Sequence, residues 1–188
     1  MLSAMHPKIA VYALLSVALL LTSACPCRAQ ERAAMTFDRF PVEIYRGHLK
    51  MPREFHRSSG GLWQDESGKP ASQPRVNFAG EYYLAVHSCG TCCRYYTLNN
   101  LHTGVEVSEV RMFDAAEPSP VTRDGRSYVP VLIFQPGSKL LIVQYALDLC
   151  TAADKHECRE RYFIFEKGHF RVISRTFRSC AHERENPE

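Results

Sequence analysis

The sequence lacks several features that would point to a function class. Its 23 Lys and Arg face 20 Asp and Glu with no block of like charge, so its composition gives no support for binding to nucleic acid or to a membrane surface. It has no Gly-x-Ser-x-Gly elbow, no glycine-rich phosphate loop and no pair of histidines at zincin spacing. Its long apolar run, Ile9 to Leu21, has 13 residues, short of the ~20 that a spanning helix needs. We therefore expect no stable membrane span.

That apolar run belongs to an export signal. A short, positively charged start precedes it and small residues follow it, which predicts a signal peptide over residues 1–29 with cleavage after Ala29. The alternative is lipidation of Cys25, which would give a lipid-anchored outer-membrane lipoprotein. In both cases the mature domain lies outside the cytoplasm, in the periplasm or secreted. Cleavage after Ala29 leaves 159 residues with a formal charge of +1, a length that suits one domain.

The mature chain reads as a β protein. Residues 30–75 are predicted as a polar lead-in, a short strand at 42–45 and a surface loop from residue 53 to 75; residues 76–180 form the β domain, and residues 181–188 a flexible tail. Aromatic and β-branched runs recur between Gly-containing turns. The predicted strands of the β domain are Tyr82–His87, Arg94–Leu98, Val105–Val107, Tyr128–Phe134, Lys139–Leu147, Arg161–Glu166 and His169–Phe177.

The strand pattern occurs twice. Residues 82–107 and 140–173 each read as a strand, a cysteine loop, an aromatic strand, a glycine turn and a further strand. Two such units resemble parts of propeller blades but are fewer than the four blades that a closed propeller needs. Any two β-meanders share some of this similarity. We therefore predict an all-β fold in which antiparallel meanders form a sandwich, an open barrel or blade-like sheets.

A family resemblance begins in the first of these units. The run Asn77-Phe78-Ala79-Gly80-Glu81-Tyr82-Tyr83, followed by Cys89-Gly90-Thr91-Cys92-Cys93, is similar to a family of uncharacterised exported bacterial proteins. In that family an Asn-Phe-Ala-Gly-x-Tyr strand leads to Cys-Gly-Thr-x-Cys. The chain departs from the family at Glu81, where a histidine is common, and in its additional Cys92. The resemblance implies export and a β fold, and it implies no activity.

Six cysteines remain after signal cleavage, and the sequence alone does not choose among their fifteen pairings. Cys89 and Cys93 match the family's Cys-Gly-Thr-x-Cys spacing, and Gly90 allows the tight backbone that a bridge between them requires. Cys150 and Cys158 flank the equivalent loop of the second unit and are expected to pair likewise. Cys92 and Cys180 then remain, and we expect them to pair with each other. These bridges are expected to stabilise the fold.

Two other uses of the cysteines stay open. Cys89-Gly90-Thr91-Cys92 has the spacing of thiol–disulfide exchange enzymes, but their reactive thiol lies at a helix N-terminus, and the residues that follow here favour a strand. A zinc site could combine Cys89, Cys92 and His87 with Cys150 or Cys158, yet it would need thiolates that export tends to oxidise. We therefore favour structural disulfides and expect no cofactor and no metal.

The leading functional hypothesis is a non-catalytic binding protein that recognises a protein or cell-envelope partner. Many aromatic residues fall on predicted strands, and alternation along a strand exposes half of them or places them under a loop. An inhibitor or immunity protein would be one form of such a binder. The alternative is an envelope hydrolase or thiol-redox enzyme whose site is not visible in the sequence, with Glu81, Asp114 and Asp148 as candidate acids and bases. A third reading is a structural envelope component tethered through Cys25.

Overall fold

The computed structural model describes residues 35–116, 118–149, 151 and 157–182. The predicted signal peptide, Cys25, Cys150 and residues 183–188 of the predicted tail lie outside the described residues. Within the described ranges, no helix combines the length and the hydrophobicity that crossing a bilayer requires.

The described residues form eight strands and two short 3-10 helices, at Phe37–Arg39 and Ser108–Phe113. The strands are β1 (Phe55–Arg57), β2 (Trp63–Asp65), β3 (Tyr82–Gly90), β4 (Cys93–Asn100), β5 (Tyr128–Ile133), β6 (Leu140–Leu147), β7 (Glu157–Glu166) and β8 (His169–Val172). β1 pairs with β2, β3 pairs with β4, and β5 to β8 form a four-stranded meander in sequence order. Every pairing of named strands is antiparallel, which confirms the all-β class.

The β3–β4 hairpin lies between two hydrophobic cores. On one face, Leu84 and Leu98 pack with Leu141, Val143 and other apolar residues of the four-stranded sheet. On the opposite face, Tyr83 and Ala85 pack with Phe55 of β1, Leu101 and neighbouring side chains. Because side chains alternate along a strand, consecutive residues of β3 enter different cores. The hairpin is therefore apolar on both faces over this stretch, which explains its aromatic-rich sequence.

The Asn77–Tyr83 run joins the hairpin to the four-stranded sheet. Phe78 is fully buried, and its ring lies near the rings of Phe134, Phe165 and Phe170 at centroid distances of 6.0, 5.4 and 6.2 Å. Gly80 follows with φ +81°, and a Cβ there would lie 2.4 Å from the carbonyl oxygen of Glu43. Glycine is required here by both its backbone conformation and this close approach. The run that carries the family resemblance thus has a structural role at the centre of the fold.

Two predictions for the lead-in are wrong. Val42–Tyr45, predicted as a strand, is irregular, since the backbone amide of Val42 donates to Gly137 and that of Tyr45 to Gly80 instead of to one partner strand. Residues 53–75, predicted as a loop, contain the β1–β2 hairpin. Its strands have three residues each, too short for a periodic signal, and the hairpin is held by burying Phe55 against β3.

Two strand boundaries also differ from the prediction. The segment 105–107 contributes a single bridge, Asn99 to Glu106, because the chain turns into the second 3-10 helix at Ser108. β8 ends at Val172, and the chain then contacts the meander through one further bridge, Glu160 to Phe177. The remaining strands of the β domain lie where they are predicted, with β7 beginning four residues earlier, at Glu157.

The C-terminal segment, residues 174–182, packs on a face of β6 and β7 around a buried carboxylate. Glu160 is fully buried, and it accepts hydrogen bonds from the hydroxyl of Tyr162 at 2.6 Å, the amide of Gln144 at 3.0 Å and the backbone amide of Ala181 at 3.3 Å. The ring Nδ1 of His182 lies 3.3 Å from the same carboxylate. Burial alone raises the pKa of Glu160, but the hydrogen bonds from His182, Tyr162 and Gln144 outweigh it and lower the pKa to about 2.

Candidate functional site

The structure forms one of the three predicted disulfides. Cys89 and Cys93 are bonded, with their Cα atoms 4.9 Å apart, at the closed end of the β3–β4 hairpin. Cys158 is bonded to Cys180, with a Cα separation of 5.6 Å. The predicted Cys150–Cys158 and Cys92–Cys180 bridges are therefore wrong. Cys92 is also disulfide-bonded.

The register of the C-terminal segment explains the second bridge. Glu160 and Phe177 form an antiparallel bridge, and each donates its backbone amide to the other's carbonyl, at 3.0 and 2.8 Å. In antiparallel pairing, stepping back from Glu160 to Cys158 means stepping forward from Phe177 toward Cys180. The two cysteines are brought together by this docking. A comparison of the two cysteine loops could not reveal it, because the partner lies in a different segment.

The surroundings of Cys89 and His87 bear on the two alternative uses of the cysteines, a redox site and a zinc site. The Cys89-x-x-Cys92 pair that a redox site requires is not formed, since Cys89 is bonded to Cys93 on a hairpin and not at a helix N-terminus. His87, the suggested zinc ligand, places its Nε2 2.9 Å from the hydroxyl of Thr97 and stacks on Tyr95 at 4.5 Å. Within the described ranges, no group of three or more His, Cys, Asp or Glu side chains could hold a metal ion.

The three candidate acids and bases have different structural partners. Glu81 accepts from the Asn100 amide at 2.8 Å and lies 3.3 Å from His102 Nδ1. Asp148 accepts from Arg126 Nε at 2.7 Å. Asp114 accepts from the backbone amide of Tyr96 at 2.9 Å, and burial raises its pKa. Each carboxylate thus fixes a local turn or strand end, which is a structural role.

The aromatic strand residues do not form an exposed patch. Tyr83, Tyr96, Tyr162, Phe163 and Phe165 are buried, and the rings that alternate with them are half-buried. The β3–β4 hairpin is covered on both faces, which buries Tyr83 and Tyr96, and Tyr162 on β7 lies against Phe177 and His182 of the C-terminal segment. The aromatic content therefore reflects packing inside the fold and gives no direct sign of a partner surface.

A groove follows the outer edge of β3, on the side away from β4. This groove, which we call the β3 groove, has a volume of about 770 Å³ and is lined by β3 from Tyr83 to Ser88, by residues 69–73 and 75–77, and by Phe134 and Pro136. β3 is an edge strand, since β4 is its only named partner among the described residues. Edge strands present unpaired backbone groups, and proteins usually cover or block them.

Part of this edge is covered by side chains. The amide of Asn77 donates to the carbonyl of Leu84 at 2.9 Å, and its oxygen accepts from the amide of Leu84 at 2.8 Å. At the other end, Lys69 Nζ donates to the carbonyl of Ser88 at 3.1 Å. Val86 lies between them, and its side chain is 48% exposed. No hydrogen bond from another described residue reaches the backbone of Val86 on this edge.

The charges of the β3 groove are mostly positive. Lys69 and Arg75 line it, and Arg75 is exposed. Asp65 also lines it and contributes a negative charge, which is stabilised because its carboxylate accepts from the hydroxyl of Ser67 at 2.7 Å and from the backbone amides of Ser67 and Lys69. The pKa of Asp65 is lowered by these bonds, chiefly by that from the Ser67 hydroxyl. Burial lowers the pKa of His87 in the same groove, which favours its neutral form.

A second concavity, of about 540 Å³, lies on the other side of the β3–β4 hairpin and is polar. Three of its four carboxylates are engaged: Glu106 pairs with Arg111 at 3.1 Å, Asp114 accepts from the backbone amide of Tyr96, and Glu54 accepts from the amide of Asn99 at 2.5 Å. The β3 groove is therefore the stronger candidate, because it retains unpaired backbone groups. Sequence reasoning missed it, since the segment that forms its second wall was predicted to be a plain loop.

No protein-family model, curated protein or solved structure matches this chain. The family resemblance of the Asn77–Cys93 region stays a prediction.

Proposed function

We propose that this chain is an exported, disulfide-stabilised binding protein that holds a protein partner in the β3 groove without carrying out a reaction on it. The open backbone at Val86, within a groove of about 770 Å³, is the observation that carries the proposal. Edges of this kind are a common way for one protein to take up a segment of another. An inhibitor or immunity protein directed against a secreted toxin or hydrolase is one concrete form.

The disulfides support both the export and the binding role. Bridges persist in oxidising compartments such as the periplasm or the extracellular space. The Cys89–Cys93 bridge closes the hairpin that presents the groove, so it limits the motion of β3 and reduces the entropy lost on binding. Mass spectrometry of the mature N-terminus tests the location, since cleavage after Ala29 gives a free Gln30 and lipidation gives a modified Cys25.

Affinity capture with matched variants tests the binding role. The oxidised mature protein, residues 30–188, is used to capture partners from cell-envelope extract, alongside Val86→Asp and Val121→Asp. Both valines are exposed, at 48% and 61%, but only Val86 lines the β3 groove. We expect one stoichiometric partner with the wild type and Val121→Asp, and its loss with Val86→Asp. Equal capture by all three proteins, or no partner at all, would contradict the proposal.

A further inference from the structure

We infer that the β3 groove takes an extended, acidic segment of another protein, which adds to β3 as a strand at Val86. This inference rests on the proposed binding function and names the chemistry of the partner. It follows from three features of the groove: the direction of the backbone groups of β3, the length of edge left open, and the charges at its two ends.

The backbone of β3 at Val86 points into the groove. Tyr82 donates its amide to Phe78, and Leu84 exchanges two hydrogen bonds with Asn77, so both residues direct their amides and carbonyls away from β4. Backbone groups alternate between the two edges of a strand. Val86, two residues beyond Leu84, therefore directs its amide and carbonyl to the same side. On the β4 strand opposite, the amide of Tyr96 likewise points outward and donates to Asp114.

The open edge has a defined length. The side chain of Asn77 forms hydrogen bonds with both the amide and the carbonyl of Leu84, and the side chain of Lys69 donates to the carbonyl of Ser88. The amide and carbonyl of Val86 lie between these covered groups, and they are the pair that a single residue of an added antiparallel strand satisfies. A short extended segment fits this opening, whereas a helix presents no free backbone groups to it.

The charges at the two ends determine the chemistry of the segment. Lys69 lies at the Ser88 end of the open edge, and Arg75 lies next to Val76 and Asn77 at the other end. Arg75 has no ion-pair partner within the described part of the chain, and the nearby Asp65 is held by Ser67 and the backbone of Lys69. Carboxylates on the added segment would meet both cations. Complementary charge of this kind fixes register and partner choice.

The same charges disfavour a second copy of this chain as the occupant. A two-fold pairing of one β3 edge with another would centre on Val86 of each copy. Because the flanking residues are Lys69 and Arg75, each copy would bring its cations toward those of the other. Like charges placed together reduce affinity. We therefore favour an acidic segment of a different protein.

Amide exchange with model peptides tests the inference on the oxidised mature protein. The probes are a seven-residue peptide that alternates threonine with glutamate and a matched peptide that alternates threonine with lysine. We expect millimolar glutamate peptide to slow exchange of the Val86 amide at least tenfold, and added salt to weaken this effect; the lysine peptide should leave the exchange unchanged. An unaffected Val86 amide, an equal effect of both peptides, or protection that rises with protein concentration alone would overturn the inference.

Two variants distinguish the contribution of the Val86 backbone amide to binding from that of the Val86 side chain. Val86→Pro removes the amide hydrogen, whereas Val86→Thr keeps it together with a β-branched side chain. Urea unfolding first establishes that both variants fold. We expect Val86→Thr to bind the glutamate peptide within twofold of the wild type and Val86→Pro to lose at least tenfold in affinity; equal binding would contradict strand addition. If the partner captured from extract is lost with Val86→Asp but retained by Val86→Pro, the inference fails while the proposed binding function stands.

Discussion

The side chain of Asn77 completes the edge of β3 by bonding to both backbone groups of Leu84, at 2.9 and 2.8 Å. An amide side chain can do this because it offers a donor and an acceptor in the geometry of a peptide group. Leu84 is buried in the core, so its backbone groups have little access to water. The bond pair thus replaces the partner strand at the buried end of the edge and leaves the outer end, at Val86, open.

Asn77→Ala is expected to destabilise the fold. The substitution leaves a donor and an acceptor of Leu84 unpaired near the core, which costs about 1–3 kcal/mol for each buried group that stays unsatisfied. Urea unfolding measures the loss, and Gln73→Ala, at an exposed position in the same segment, is the control. A loss for Asn77→Ala no larger than that of the control would show that the two bonds have no role.

Gly80→Ala and Gly125→Ala form a matched pair. Both glycines have φ near +80°, so both substitutions carry the cost of a left-handed residue, about 1–2 kcal/mol. A Cβ at Gly125 meets open space, whereas one at Gly80 lies 2.4 Å from the carbonyl oxygen of Glu43. We therefore expect Gly80→Ala to lower the free energy of unfolding by clearly more than Gly125→Ala. Equal losses would indicate that the close approach is not maintained in solution.

The two described disulfides should contribute unequally to stability. The chain-entropy model relates the stabilisation to the length of the closed loop, which gives about 3 kcal/mol for Cys158–Cys180, at a separation of 22, and about 2 kcal/mol for Cys89–Cys93, at a separation of 4. Urea unfolding of the two double alanine variants measures the difference. A larger loss for the Cys89 and Cys93 double variant would contradict this ranking.

The buried carboxylate of Glu160 predicts a loss of stability in acid. Its pKa in the folded protein, about 2, lies below the 4.5 of a free glutamate. The unfolded chain thus binds more protons between these values, and stability that is present above pH 4.5 is lost as the pH falls toward 2. The shift corresponds to about 3 kcal/mol. Urea unfolding between pH 7 and pH 2.5 measures this dependence.

Two substitutions test whether Glu160 is the group responsible. Glu160→Gln cannot ionise, so it should be less stable at pH 7 and lose less stability on acidification. Tyr162→Phe keeps the ring and removes the donor at 2.6 Å, so its acid unfolding should begin at a higher pH. An unchanged acid dependence in Glu160→Gln would assign the effect to other groups.

Local patterns in the sequence predicted most of the β domain. β6 could be predicted because Leu140–Leu147 is apolar and β-branched and is bounded by a Pro-Gly turn, and the structure buries nearly all of it. The Cys89–Cys93 bridge was expected from the family's spacing, and only three residues separate its cysteines. Features that are determined by residues close together in the sequence could be predicted in this way.

Features that depend on contacts between separate segments could not be predicted from the sequence. The Cys158–Cys180 bridge depends on the C-terminal segment docking on β7 through Phe177, and no local pattern encodes that contact. The β1–β2 hairpin is too short for a periodic signal and is stabilised by burying Phe55. The open edge at Val86 depends on which side chains of the irregular segment before β3 fold back onto the strand, here those of Asn77 and Lys69. The candidate site could therefore be found only from the structure.

Hydrogen exchange over β3 tests the central claim most directly. The oxidised mature protein is compared, alone and with its captured partner, by mass spectrometry with fragments that separate residues 82–90 from the rest of the chain. If the partner binds in the β3 groove, the amide of Val86 exchanges rapidly in the free protein and becomes protected in the complex, together with the amides of residues 69–77. Protection confined to other surfaces, with β3 unchanged, would contradict the account.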